Sequence, residues 1–218
     1  NYQKAKELLE NGYSIYSKSY PENHPRIAWV SVVLGMVYSQ LGNHLKAKHL
    51  LEKTLHLHKK EFGEEHIRTS LNLLYLGEVL KVLRQLAESK NYIQQCLKNY
   101  EKHYGKEHIE TARALSSLAS LFLLEGNFNK AEDLANRALI TFQQKGHPEQ
   151  YLCFEILSDI YYKKYMQDRY NNTPQQKENL STQASKYLNQ AFKIGNTHFQ
   201  GDSPHMTRIK SKIQNLKK

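Results

Sequence analysis

Apolar runs long enough to cross a membrane are missing from these 218 residues: no stretch approaches the roughly 18 consecutive apolar residues a spanning helix needs. Proline is scarce, with five residues, and the ten glycines are widely separated, which argues against a turn-rich β sandwich and for long regular elements. The two cysteines, Cys96 and Cys153, cannot build a disulfide framework or, alone, a metal site. No Gly-rich phosphate loop, His-Glu-x-x-His or Gly-x-Ser-x-Gly occurs, so no catalytic signature is present and an enzyme is not expected. Asn1 is not followed by a charged-then-apolar signal segment. With 39% apolar and 24% charged residues, the composition reads as soluble, intracellular and helical.

What is present is a repeat. His24-Pro25-Arg26 recurs as His66-Ile67-Arg68 and as His108-Ile109-Glu110, each time 42 residues on, and a fourth copy opens at His147-Pro148 after 39. Phe62-Gly63 matches Tyr104-Gly105, with Tyr20 one period earlier. Each period holds two helical patterns. In the first, Ser31, Leu34, Gly35 and Tyr38 match Leu73, Leu76, Gly77 and Leu80, then Leu115, Leu118, Ala119 and Phe122, then Phe154, Leu157, Ser158 and Tyr161. The spacing i, i+3, i+4, i+7 puts them on one face, where the small residue lets a second helix approach. In the second, Ala47, Leu51 and Thr54 match Ser89, Ile93 and Cys96, then Ala131, Ala135 and Ala138. Gly42-Asn43 and Gly126-Asn127 mark the turns between paired helices. Helix pairs this small cannot bury their own faces and must stack, so the expected fold is all-α, a superhelical solenoid of antiparallel helix pairs.

The divisions follow the period: residues 1–20 as the second helix of a truncated repeat, then repeats at 24–62, 66–104, 108–145 and 147–199. A terminal capping helix at 203–218 follows. Because the chain opens on a second helix, it reads as a piece of a longer protein. In the fourth repeat Ala184, Leu188 and Ala191 arrive 14 residues late, so a polar insertion near 167–180, with Asn171, Asn172, Thr173 and Pro174, is expected to form a loop.

Leu34, Gly35, Tyr38, Ala47 and Leu51 fall on the small–large signature of the tetratricopeptide repeat, which the chain resembles over nearly its whole length. The 42-residue period with its His-Pro opening and Phe-Gly closing is similar to the kinesin-light-chain type. That resemblance implies a right-handed superhelical solenoid with a concave groove lined by the first helices, taking a peptide or partner helix. At 100° per residue, Trp29, Val32 and Met36 lie away from the packing stripe. Their matches are Leu71, Leu74 and Glu78, then Arg113, Ser116 and Ser120, then Leu152, Glu155 and Asp159. With Lys81 and Arg113 in the middle, this groove suits a protein ligand whose apolar anchor sits beside acidic residues. The paired asparagines typical of kinesin light chains are replaced by Val32-Val33, Leu74-Tyr75, Ser116-Ser117 and Glu155-Ile156.

The reading is therefore a non-catalytic interaction module of an intracellular scaffold or adaptor. Rival readings are a peptide-sensing regulatory domain of a bacterial receptor, or a nucleic-acid binder. The second rival rests on charge: residues 161–218 carry eleven bases against three acids, a net +8 of the chain's +10, interleaved with Tyr161, Tyr162, Tyr165 and Tyr170. Without a recognised nucleic-acid module these bases read as a solvated end. No cofactor and no metal are expected: His24, His66, His108 and His147 share one phase before the first helices, and His56 and His58 lie two apart on different helix sides. Cys96, on a small-residue stripe, reads as a buried apolar group.

Overall fold

Four imidazoles open the first helices. In the computed structural model, which describes residues 2–21, 24–167, 173–199, 201 and 203–216, the histidines of the shared phase act through Nδ1. Nδ1 of His24, His66, His108 and His147 accepts the backbone N–H two residues on, at 3.2, 3.1, 3.2 and 3.3 Å. The acceptor role leaves the ring proton on Nε2 and satisfies an amide that has no intrahelical partner. An aromatic residue from the end of the previous helix stacks on the same ring: Tyr20 on His24, Phe62 on His66 and Phe142 on His147. The recurring histidine is thus a cap with an aromatic lid.

From these caps run α2 (Pro25–Gln40), α4 (Ile67–Val82) and α6 (Ile109–Leu124), while α8 (Gln150–Gln167) begins three residues past His147. Their partners are α3 (His44–Phe62), α5 (Leu86–Tyr104), α7 (Phe128–Gln144) and α9 (Pro174–His198); α1 (Tyr2–Ser19) precedes them and α10 (Pro204–Leu216) follows. No strand occurs among the described residues. Two compact units divide the chain, Asn1–Gly105 and Lys106–Lys218. In the first, α2 packs on α1, α3 and α4, and α4 on α3 and α5; in the second, α8 packs on α6, α7 and α9, and α10 on α9.

The turns inside the first three pairs, α2–α3, α4–α5 and α6–α7, each use one left-handed residue. Gly42 (φ 79°) and Gly126 (φ 78°) supply it, and between them, one period from each, Arg84 adopts the same conformation (φ 63°). A left-handed arginine costs about 1 kcal/mol, and the packing of α4 on α5 holds it there.

Over 174–180 the expected loop is replaced by helix. Pro174–Leu180 are the first two turns of α9, a helix of 25 residues, while residues 168–172 lie outside the described residues. The reason is local. Thr173 Oγ1 accepts the Gln176 N–H at 3.3 Å, and Gln176 Oε1 accepts the Thr173 N–H at 2.9 Å. Pro174 takes the first helical position, where its missing N–H is no loss. The polar composition that suggests a loop carries a helix start.

His56 is exposed and His58 buried at 3%, with Nδ1 unpartnered. Burial pushes the His58 imidazole down to about 4, with Arg68 and His66 adding repulsion. Since the unfolded chain protonates near 6.5, it binds more protons than the folded chain between about pH 4 and 6.5. Stability is therefore full above pH 6.5 and declines as pH falls toward 4, by roughly 3 kcal/mol from this group. Denaturant melts of the parent and of His58→Phe across that window test this: the parent should show the steeper pH slope.

Candidate functional site

Where first helices have neighbours on several sides, little of them stays open: α4 is enclosed by α5, α3 and α2, and α8 by α9, α7 and α6. In α2 the residues left unburied along one line are Trp29, Val33, Met36 and Gln40; in α4 they are Leu71, Tyr75, Glu78 and Val82, one period later. Trp29 is 51% exposed and Val82 50%. The matching unburied positions of α6 are Arg113, Ser117, Ser120 and Leu124. In α8 Leu152 and Asp159 are half-buried, and Ile156 between them is closed at 8%.

This corrects part of the sequence-derived groove. Val32, Leu74, Ser116 and Glu155 are buried, at 1, 4, 5 and 4%. They are closed off from solvent instead of lining an open surface, Glu155 beneath Arg208 and Lys212 of α10. From Trp29 and its matches the accessible row advances by four, not three, passing through Val33, Tyr75 and Ser117. Each is the second member of a pair that the resemblance singles out, and the packing neighbours of a first helix select it over the first. Trp29, Met36, Leu71, Glu78, Lys81, Arg113, Ser120 and Asp159 do stay accessible in part.

The charges of the row are internally matched. Lys81 Nζ donates to both oxygens of Glu78 at 2.8 Å. Arg113 donates from Nη1 to Glu110 at 2.5 Å and from Nε to Glu149 at 2.7 Å. Ser116 Oγ and Ser120 Oγ each donate to a backbone carbonyl of their own helix, that of Arg113 and of Ser117. The cations assigned to an acidic ligand are thus already engaged by carboxylates of their own unit. Apart from Gln40 and the Glu78–Lys81 pair, the open row of the first unit is apolar and aromatic: Trp29, Val33 and Met36 on α2, with Leu71, Tyr75 and Val82 on α4.

The bases of the C-terminal quarter are also partly committed inward. Lys164 donates to Glu132 at 2.7 Å and Lys163 to the Leu123 carbonyl at 3.4 Å, while Lys210 donates to the Gly201 carbonyl at 2.8 Å. Tyr161 Oη donates to Glu132 at 2.7 Å, and burial raises this phenol well above its ordinary range. Arg169, Tyr170, Lys217 and Lys218 lie outside the described residues.

Chemistry-bearing groups are sparse. Both cysteines are buried, and burial pushes the Cys153 thiol up to about 12, which keeps it from acting as a thiolate nucleophile. Among the described residues no group of three His, Cys, Asp or Glu side chains is placed to hold a metal ion, and no helix is long and apolar enough to cross a membrane.

The comparisons bear on the fold. The tetratricopeptide-repeat profile matches residues 1–60, 34–102 and 67–144, so the chain belongs to the tetratricopeptide-repeat family, an all-α solenoid fold that serves as a protein-interaction module. Its fold is of the kinesin-light-chain type. The crystal structure of BtubC (BKLC) from P. vanneervenii is similar with a TM-score of 0.66 at 18% identity, covering 93% of this chain and 77% of that one. That of a putative kinesin light chain from Podosopora anserina, described as having nearly identical TPR-like repeats, has a TM-score of 0.62 at 20% identity, covering 91% and 90%. A variant of the same Podosopora anserina protein has a TM-score of 0.63, also at 20%, covering 90% and 87%. No curated protein sequence matches the chain.

Proposed function

We propose that this chain is a non-catalytic binding module of an intracellular scaffold or adaptor, and that it takes a peptide or helix through a bulky apolar anchor. The anchor sits on the α2–α4 face of the first unit. One observation carries the reading: the accessible row of two touching first helices presents Trp29, Val33, Met36, Leu71, Tyr75 and Val82 with one polar residue, Gln40, at its edge, and its charges, Glu78 and Lys81, pair with each other. An exposed apolar patch rimmed by polar residues is the usual sign of a protein-binding surface. Because Lys81 and Arg113 are engaged by carboxylates, the ligand is recognised by shape and apolar area, and an acidic flank adds little.

Peptides selected from a random display library provide the test. Selected binders should carry an aromatic or large aliphatic residue, and binding should shift the emission of Trp29, the chain's one tryptophan, to shorter wavelength. Removing a central anchor from such a site costs about 2 kcal/mol, close to thirtyfold in affinity. Trp29→Asp and Met36→Asp should each show that loss in anisotropy titrations of a labelled peptide while melting near the parent temperature. If both variants hold the selected peptides as tightly as the parent does, the site lies elsewhere.

A further inference from the structure

Helix α10 carries an unusual pairing. Arg208 grips Glu155 of α8 with two bonds, Nε at 3.0 Å and Nη2 at 2.7 Å, and Lys212 bridges Glu155 at 3.3 Å and Asp159 at 2.7 Å. Glu155 is only 4% exposed. A carboxylate withdrawn that far from water needs a cation opposite it, because losing the partner leaves a buried, uncompensated charge. Burial likewise raises the Asp159 carboxyl above its ordinary range, with Lys212 opposing the rise. Whatever helix covers this surface must therefore bring bases to Glu155 and Asp159.

The same surface also takes two apolar residues at helical spacing. Met206 and Ile209 are fully buried. Met206 lies directly on Gly195 of α9, where a Cβ would be 2.7 Å from its sulfur. Tyr151 of α8 completes the seat through a hydrogen bond to His205 Nδ1 at 3.0 Å. The face formed by α8 and α9 therefore reads a pattern: Met206, Arg208, Ile209 and Lys212, two apolar anchors at i and i+3 with cations at i+2 and i+6. Arg208, Ile209 and Lys212 share one side of the helix, and Met206 lies one turn before Ile209 at the edge of that side. Attachment is light for such a specific seat. Two of the 13 residues of α10 are fully buried, and Thr207, Lys210, Ser211, Gln214 and Asn215 face solvent.

We propose that the α8–α9 face is a receptor surface for a basic amphipathic helix, that α10 is its resident occupant, and that a partner helix with the same pattern displaces α10. The inference rests on other residues than the α2–α4 reading and stands or falls separately from it. Tethering gives α10 an effective concentration of roughly millimolar, so a free helix competes poorly until α10 is loosened. Charge complementarity names the occupant: an acidic helix would meet Glu155 and Asp159 with like charge.

The probe is a fluorescein-labelled peptide with the sequence of residues 203–216, titrated against the full chain by anisotropy. Arg208→Glu with Lys212→Glu should release α10, and this double variant should bind the peptide at least tenfold more tightly than the parent. Adding Glu155→Gln and Asp159→Asn should remove that gain, and so should raised salt. Equal binding to parent and double variant, no binding to either, or binding indifferent to Glu155 would overturn the proposal. A measurement on the unmodified chain decides the matter even if the double variant does not fold. Native-state hydrogen exchange should show the amides of α10 opening while α8 stays protected. Should α10 exchange only together with α8 and α9, it is a permanent cap and no receptor surface is exposed.

Discussion

Gly77→Val is expected to disrupt the α4–α5 pair and cost about 3 kcal/mol or more, read as a lower melting temperature. A Cβ on Gly77 would lie 2.6 Å from Ile93 Cγ1 and 3.3 Å from the Ser89 carbonyl. Neither can retreat: Ile93 and Ser89 are fully buried, and Ser89 Oγ donates to the Gly77 carbonyl at 2.7 Å across the same crossing. The helix pair α6–α7 shows how the clash is avoided. There the matching residues are Ala119 and Ala135, both fully buried, so a side chain on the first helix is matched by a smaller one on the second. Gly77→Ala should therefore destabilise, and Ile93→Ala alone should cost about 2–5 kcal/mol through its cavity. The double variant should cost clearly less than the sum. Additive costs in that cycle would mean the two side chains do not share one space.

Leu74→Asp should cost about 4 kcal/mol, the scale for an unpaired carboxylate buried at a helix seam. Leu74 is 4% exposed, in the seam between α4 and its neighbours. From periodicity alone the same residue belongs to an open groove, where aspartate would leave the fold intact. Trp29→Asp provides the contrast: at 51% exposure it should shift stability by less than about 1 kcal/mol. Thermal melts of the two variants side by side separate the seam from the open row. Equal melting temperatures would return Leu74 to the groove.

The crossing at Gly77 is legible in the sequence because a helix face is written directly into residue spacing. Gly35, Gly77, Ala119 and Ser158 recur in one phase, and the structure buries each of the four. The repeating histidine is legible as structural, though its role as an N-cap needed the bond from the second backbone amide. The start of α9 is written just as plainly, in Thr173, Pro174 and Gln176, but asparagine-rich composition outweighs a three-residue signal. Arg84 is not legible: nothing in an arginine announces a left-handed turn, and only the glycines one period either side suggest it.

Sequence alone determined the all-α fold and its 42-residue phase, because a helix repeats its faces every 3.6 residues and a repeat fold copies them at each period. It also supplied which residues meet within a helix pair, since Ser31, Leu34, Gly35 and Tyr38 share one stripe. The open row was decided only in three dimensions. Whether Val32 or Val33, Leu74 or Tyr75 meets solvent depends on how many neighbours surround a first helix, and neighbours from other repeats leave no periodic mark of their own. The state of the charges was decided there as well. Glu155 and Asp159 read as a free acidic end until Arg208 and Lys212, more than fifty residues away in sequence, were folded against them. Local spacing defines a face, and only packing says what covers it.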